Sequence, residues 1–437
     1  MQAIFVWTLW QELALRAAAG FTEPGQRRFV EWITGLALND EEHTITQSLL
    51  GLDRPQDWKA LETFAETGAW DQALLAWTTT DLLQTLPNQN WFGYHVWAGD
   101  DTKVHRSSKD VWGTCTFHEY TARSPNRAST VRAHNWVVLG ALRRRDDEPA
   151  WFLPIDGRLY FRQTQLPKGE RFRTKNDLLV ELLRQQAASL PGPHLGVFDG
   201  AFAVQSVVRP LACPDTLEHP RIDFVTRLRP DSRLCALPEP PKAKQRGAHR
   251  KWGQPLPPPR QGGRWPGSWQ EGCAYLYGRW RQVRYKEVVC QWRVLGHQVL
   301  VKAVVAKVEG YRKRFTLVSS ATALSGLQIV ELFCARFRQE DGFRDLKQRL
   351  GWEECRAWTK LPIERTTQAL FVTQTLLRLL PQRLNEATGQ AGFEAPPWNP
   401  GKTRPSVLDG QRLLRRHRAE ILQGLSAWLG QGEKKAG

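Results

Sequence analysis

Apolar residues recur at helical spacing through residues 1–90 and switch at Asn90 to the alternation expected of strands. In the first stretch FTEPGQRRFVEWITGLAL, HTITQSLLGL, PQDWKALETFAET and WDQALLAWTTTDLLQTL each predict a helix, with Asp, Thr and Pro marking the breaks. After Asn90, WFGYHVWAGDDTKV predicts a strand on which Tyr94, Val96 and Ala98 alternate with their neighbours and which ends at Asp100-Asp101-Thr102. A poorly patterned basic connector leads to two further strands, HNWVVLGAL and PAWFLPIDGRLYF. TKNDLLVELLRQQAASL is a helix capped by Thr174 or Asn176. A buried strand at Leu195–Phe198 then delivers Asp199, with Gly200 turning the chain into the short helix AFAVQSVVRPL, and RIDFVTRLR is a fifth strand.

The next stretch, residues 237–269, is rich in Pro, Gly and basic residues and cannot bury enough apolar surface to fold by itself. CAYLYGRW, RQVRYKEVVCQWRV, HQVLVKAVVAKVE and KRFTLVSS follow as strands. Glu331–Gly351 contains no proline and predicts one long helix. On it Val330, Phe343, Leu346 and Leu350 form an apolar stripe, and Phe333, Arg336, Glu340, Arg344 and Lys347 form another beside it. A single carboxylate flanked by cations has two readings. Glu340 pairs with Arg336 or Arg344 on an amphipathic surface helix, or it is brought to a phosphodiester with the basic side chains facing neighbouring phosphates. PIERTTQALFVTQTLLRLL, a Pro-rich break and SVLDGQRLLRRHRAEILQGLSAWLG close the chain as helices. Arg412, Arg415, Arg416 and Arg418 make one side of the last helix basic, for DNA contact, dimer pairing or simple solvation.

Charge narrows the class of partner. A formal net charge of +17 calls for a polyanion, since so much like charge repels itself unless neutralised, and nucleic acid is the first candidate. A membrane surface is the weaker one, because no run of about 18 apolar residues occurs at any point of the sequence. The opening MQAIFVWTLWQELAL lacks a basic leader and a small-residue cleavage site and is not expected to be a signal peptide. Seven cysteines without a C-x-x-C pair predict reduced thiols rather than structural zinc. Most of the twenty tryptophans must be core. His134, alone before a strand, reads as a structural group.

The order aromatic, two residues, Arg, three residues, Glu, six residues, Lys is met by Phe333, Arg336, Glu340 and Lys347. This resembles the Y-x2-R-x3-E-x6-K signature of one branch of bacterial insertion-sequence DDE transposases, with Phe333 standing where that branch has Tyr. The surrounding FRDLKQRLGW and the early HTITQSLLGLDRPQDWKALETF are similar to that family too. The resemblance implies an α/β fold: an RNase H-like catalytic domain with a β-rich insertion, flanked by helical N- and C-terminal regions. The expected divisions are 1–90 (helical, DNA-binding or pairing), 91–232 and 321–360 (catalytic), 233–320 (basic arm and insertion) and 361–437 (helical). In such a fold the first and fourth strands are neighbours. The implied catalytic and metal-binding set is Asp101, Asp199 and Glu340, holding two Mg2+ ions with Mn2+ able to substitute. Asp101 follows the family form of a hydrophobic strand ending in D-T; Asp100 is the alternative, because adjacent strand residues face opposite ways.

Arg336 and Lys347 are implied phosphate contacts, Arg344 shares their stripe, and Arg227 sits where related enzymes often carry a basic residue. Arm residues Lys242, Lys244, Arg246, Arg250, Lys251, Arg260 and Arg264 would contact DNA phosphates, the alternative being a solvated loop. The activity implied is cut-and-paste transposition by a cytoplasmic, nucleoid-associated prokaryotic protein. Its partners are double-stranded DNA, both terminal inverted repeats and target, and a second copy of the chain. A hairpin intermediate is implied, with a flipped base received by Trp280 or Trp292. A transposase-derived DNA-binding protein without catalysis and another RNase H-like nuclease are the rival readings.

Overall fold

Helical spacing in the first stretch becomes four helices, α1 (Gln2–Ala17), α2 (Glu23–Leu38), α3 (Trp58–Thr67) and α4 (Gln72–Leu83). The structure, a computed structural model, describes residues 2–86, 90–119, 129–144, 148–213, 219–240 and 248–436. HTITQSLLGL, expected as a helix, is mostly a 3-10 turn at Gln47–Leu52 ending in left-handed Asp53. It is folded tightly onto α2: a Cβ on Gly35 would lie 2.4 Å from the Ser48 carbonyl.

The alternating stretch yields β1 (His95–His105), β2 (Cys115–His118), β3 (Thr130–Arg143) and β4 (Trp151–Tyr160). Then come α5 (Lys175–Ser189), β5 (His194–Phe198), α6 (Gln205–Ala212), β6 (Ile222–Arg227) and the short β7 (Leu234–Cys235). Thr174, not Asn176, caps α5, in a reciprocal box: its hydroxyl accepts from Asp177 N at 3.2 Å while Asp177 Oδ2 accepts from Thr174 N at 2.8 Å. Thr174→Ala is expected to lower stability by about 1 kcal/mol in a denaturant titration, the usual cost of a lost N-cap.

β8 (Gln270–Leu276), β9 (Arg279–Trp292), β10 (Leu300–Val308) and β11 (Phe315–Ser319) complete the strands. The sheet is continuous, in the order β2-β3-β1-β5-β6-β11-β10-β9-β7, with β4 also on β3 and β8 on β9. At its centre β1 runs antiparallel to β3 and parallel to β5, and β5 is parallel to β6. β11 pairs antiparallel with β6, so the later strands extend the same sheet.

The described part of the basic arm is docked on this sheet although its composition predicts no independent fold. Trp265 is buried and donates its indole N–H to Pro257 O at 2.8 Å. The 3-10 turn at Pro259–Arg264 is pinned by Lys286, whose ammonium donates to Gly263 O at 3.3 Å and Trp265 O at 3.0 Å. One large anchor and two charge-assisted hydrogen bonds supply what the arm's own composition lacks.

The predicted long helix is two, α7 (Gly326–Ala335) and α8 (Arg338–Gln348). At the junction Arg336 N and Phe337 N bond to Phe333 O and Cys334 O, three residues back, as do Gln339 N and Glu340 N to Arg336 O and Phe337 O. This tighter turn rotates α8 relative to α7 and changes the phase of the predicted stripe.

α9 (Lys360–Thr388) is 29 residues long and mostly buried, followed by α10 (Val407–Arg416) and α11 (Arg418–Ala436), which divide at His417. α9 lies between the sheet and the other helices. Gln368 donates to Asp156 on β4, Arg365 donates to the carbonyls of Phe64, Ala65 and Gly68, and Arg378 pairs with Asp345 on α8. First and last helical stretches therefore pack together, α1 against α9 and α11. Among the described residues no helix is long and apolar enough to cross a membrane.

Candidate active site

Strand alternation sends the two candidate aspartates of β1 to opposite faces. Gly99 and Asp101 face α5: a Cβ on Gly99 would lie 2.2 Å from Leu179, and Lys175 Nζ donates to Asp101 Oδ2 at 2.6 Å. Asp100 faces α7 and α8. Arg336 Nη1 donates to Asp100 Oδ2 at 3.0 Å, and Gln339 donates to the carbonyl of Val138, the residue paired with Asp100 across β3.

Asp199 follows β5 directly. The last parallel pair between β1 and β5 is Gly99 with Phe198, so the next residues, Asp100 and Asp199, emerge side by side. The Asp199 carboxylate accepts weakly from Ala201 N at 3.4 Å, and its backbone carbonyl accepts from the Thr226 hydroxyl at 3.0 Å. Glu340, in the first turn of α8, is 53% exposed at its side chain and lies 4.0 Å from Arg336 Nη2. Arg336 thus reaches Asp100 with one nitrogen and Glu340 with the other, which brings the two carboxylates within the span of one guanidinium. Its underside rests over the Phe333 ring, 5.7 Å from the centroid, so the aromatic position of the signature is a packing support for this arginine.

Burial pushes the Asp100 carboxyl up to about 6, Arg336 pulls it partly back, and the negative charges of Asp101 and Asp199 push it further up. Asp100 and Asp199 therefore feel each other's charge. Hard oxygen donors in electrostatic conflict are what a divalent cation relieves, and in chemistry this set suits one. As they stand, among the described residues no group of three or more His, Cys, Asp or Glu side chains is close enough to hold a metal ion. The cation that Asp100 and Glu340 share is Arg336.

Lys347 is half-buried beside β1. Its ammonium donates to Lys103 O at 2.5 Å and lies 3.6 Å from Glu353, and burial lowers its pKa. Arg344 is exposed and bonded to Asp341 at 2.7 Å. Arg227 is exposed at the end of β6, and Arg250 and Lys251 are exposed in the arm. Lys242, Lys244 and Arg246 lie outside the described residues.

Several basic residues of the helical regions are engaged internally. Arg27 donates to the carbonyls of Trp428 and Leu429 near the end of α11, Arg28 pairs with Glu31, and Arg415, Arg416 and Arg418 pair with Asp40, Glu394 and Asp53. His134 is fully buried between Arg106 and the Trp112 carbonyl, and burial lowers its pKa to about 3, so it is a neutral structural group as read. Of the two tryptophans considered for a flipped base, Trp292 is core, packed on Phe224, whereas Trp280 is 54% exposed.

Sequence reasoning missed Lys175 and the exposed aromatic group Tyr277, Tyr311 and Phe337 close to Arg336. Tyr277 sits at φ 53° in the β8–β9 turn, with its ring 5.4 Å from Tyr311 and 6.0 Å from Phe337. The Tyr-Gly pair of LYGRW was the one local sign of that turn. The family model described as DDE superfamily endonuclease matches residues 17–293, which takes in Asp100, Asp101 and Asp199 and ends before α8. No curated protein matches the chain.

Proposed function

The chain belongs to the DDE superfamily endonucleases, and from that premise we propose that it is a cut-and-paste DNA transposase whose site is Asp100, Asp199 and Glu340. The observation that carries this reading is that Arg336 reaches both Asp100 on β1 and Glu340 at the start of α8, while Asp199 at the end of β5 is close enough for its charge to raise the Asp100 pKa. The strand order β4-β3-β1-β5-β6, with β1 antiparallel to β3 and parallel to β5, supports reading the centre of the sheet as RNase H-like. The insertion is then the run of strands continued beyond β6.

Asp100 takes the role that the family form assigned to Asp101, because Asp100 shares its face with Glu340 while Asp101 is held by Lys175 on the other. Asp100, Asp199 and Glu340 would hold divalent cations, Mg2+ by the chemistry of the donors, and these supply an activated water and charge stabilisation on the leaving oxygen. The protein's own residues do the rest. Arg336 exchanges its carboxylate contacts for a non-bridging phosphate oxygen and stays protonated throughout. Lys347 neutralises a neighbouring phosphate. Phe333 keeps the guanidinium in place.

Hydrolysis frees a 3′-hydroxyl at the element's end. That hydroxyl attacks a phosphodiester of the opposite strand, expelling the 3′-oxygen of the flanking DNA to form a hairpin; a second water hydrolyses the hairpin and regenerates the 3′-hydroxyl, which attacks a target phosphodiester and expels a target 3′-oxygen. Trp280, exposed in the β9 hairpin beside Tyr275, is the tryptophan suited to receive a flipped base. Two ends processed together call for two copies of the chain on paired terminal inverted repeats.

The test is Mg2+-dependent nicking and joining of a labelled fragment carrying the terminal repeats, with Glu340→Gln alongside. The wild-type chain is expected to cut and join, and the variant to lose at least about 10³-fold in rate while still binding. Salt-sensitive binding with no cleavage by either protein would replace this reading with a DNA-binding protein that has lost catalysis, Phe333 being the visible departure from the signature.

A further inference from the structure

We propose that the groove between the paired ends of β6 and β11 and the arm's turn at Pro259–Arg264 holds the phosphodiester backbone of one DNA strand where it runs on from the scissile phosphate. The groove encloses about 780 Å³ and is lined by Arg227, Arg229, Arg260, Arg264 and Arg314, with the Trp269 indole as one wall. No aspartate or glutamate lines it, and among the described residues none of the five arginines has an ion-pair partner. All five are exposed. The contrast is with Arg415, Arg416 and Arg418, each matched to an acid: here five arginines without such a match line a single groove. Five unmatched guanidinium groups along one groove repel each other, and a chain of phosphates neutralises them together.

The two walls are held facing each other. Glycines let the arm's turn approach closely, since a Cβ on Gly262 would lie 3.2 Å from both Thr316 and Val305, and one on Gly263 would lie 2.9 Å from Arg314 Nη1. Lys286 and the buried Trp265 fix the turn, so Arg260 and Arg264 are presented from an ordered backbone. Trp269 stays in place beneath Arg314, whose guanidinium lies 5.2 Å from the ring centroid.

The groove begins at Gly200 and Ala201, the residues immediately after Asp199. A strand lying in it is therefore continuous with a phosphodiester at Asp100 and Asp199. Five guanidinium groups are more than one inorganic phosphate or a mononucleotide would neutralise, which suits consecutive phosphates of a strand better. That the strand is the flank of a cleaved phosphate rests on the transposase reading; that the groove binds a strand does not.

The test measures binding by fluorescence anisotropy in EDTA, across a salt series. The probes are labelled duplexes ending flush at the element terminus or continuing past it as a single strand on one side or the other. The wild-type chain should bind one of the two flanked probes more tightly than the flush one. Arg229→Ala/Arg260→Ala/Arg314→Ala should remove that preference, weaken flanked-probe binding about 10- to 100-fold, and reduce the salt slope by about 2, as three lost single-strand phosphate contacts require. Its melting temperature should match the wild type, because all three side chains are exposed.

An unchanged slope and preference in the triple variant would overturn the proposal, as would competition by inorganic phosphate or a mononucleotide as effective as an oligonucleotide. Asp100→Asn separates the two readings. If neither protein cleaves DNA yet both show flank-dependent binding that the triple variant loses, the groove stands and the transposase reading falls. If cleavage is normal and no flank is preferred, the groove falls alone.

Discussion

Asp100→Asn should abolish metal-dependent cleavage, a loss of at least about 10³-fold, whereas Asp101→Asn should cost less than about tenfold. On the proposed reading, several kcal/mol of transition-state stabilisation rest on the carboxylates that share a face, and each 1.4 kcal/mol is about a factor of ten in rate. Asp101 lies on the other face, in a partly exposed pair with Lys175 that is worth about 0–1 kcal/mol.

Stability should move the opposite way. Burial, opposed in part by Arg336, raises the folded-state value of Asp100 from the ordinary 3.8 to about 6, so the ionised carboxylate penalises the fold at pH above about 6. The penalty shrinks as pH falls from 6 towards 4, where the carboxyl is protonated in the folded state as well. Each tenfold weakening of an acid on folding costs roughly 1.4 kcal/mol once the group is ionised. At pH 7.5 in EDTA, Asp100→Asn is therefore expected to be more stable than wild type by about 1–3 kcal/mol, and the gap should close near pH 4. Added Mg2+ should raise the melting temperature of the wild type and leave Asp100→Asn unmoved. A variant that is inactive and also melts lower at pH 7.5 would mean that Asp100 is a structural ion-pair partner of Arg336. An active Asp100→Asn beside an inactive Asp101→Asn would return the role to Asp101.

The choice between these aspartates shows where reading the chain by itself stops. Alternation along GYHVWAGDDTKV is enough to say that Asp100 and Asp101 point to opposite faces. Which face receives Glu340 depends on where α7 and α8 cross the sheet, more than 200 residues later, and no local pattern carries that. The strands around β1 and the cap of α5 were legible because period-two alternation and capping chemistry are local.

The break at Arg336–Phe337 was not, since FCARFRQE holds no Pro or Gly to mark it and the tighter turn coincides with Arg336 reaching for Asp100. The arm misled for a related reason: its Pro, Gly and basic residues predict an unfolded segment, and the outcome depends on one tryptophan, Trp265, finding a place in the core. In α9 the stretch TTQALFVTQT carries threonines and glutamines among its apolar residues. Those side chains are buried, with Gln368 donating to Asp156 and the Thr375 hydroxyl to Pro154 O, so this part of the helix is covered on all sides.

Asp345→Ala should be among the most damaging substitutions to folding, costing about 5 kcal/mol, and Arg378→Ala should cost nearer 3 kcal/mol. The two form the pair by which α9 holds α8, Arg378 Nη2 to Asp345 Oδ2 at 3.0 Å, with side chains only 7% and 11% exposed. Burial lowers the Arg378 pKa, and the Asp345 charge opposes that shift. The asymmetry follows from which partner remains. Without Arg378, Asp345 still accepts from Arg349 Nε at 3.1 Å, which is partly exposed; without Asp345, the buried Arg378 keeps no hydrogen-bonded carboxylate among the described residues.

Arg378→Met/Asp345→Leu removes both charges while keeping volume, and should melt within about 1 kcal/mol of wild type. Activity then separates two accounts of Glu340. If apolar contacts of Phe343, Leu346 and Leu350 are enough to set α8, the double variant cleaves like wild type. If the charge pair sets the rotation of α8 after its tight turn, the double variant folds but loses rate, because Glu340 leaves the span of Arg336. An Asp345→Ala protein that melts within about 1 kcal/mol of wild type would show that α8 is held by packing and that the buried pair adds nothing net.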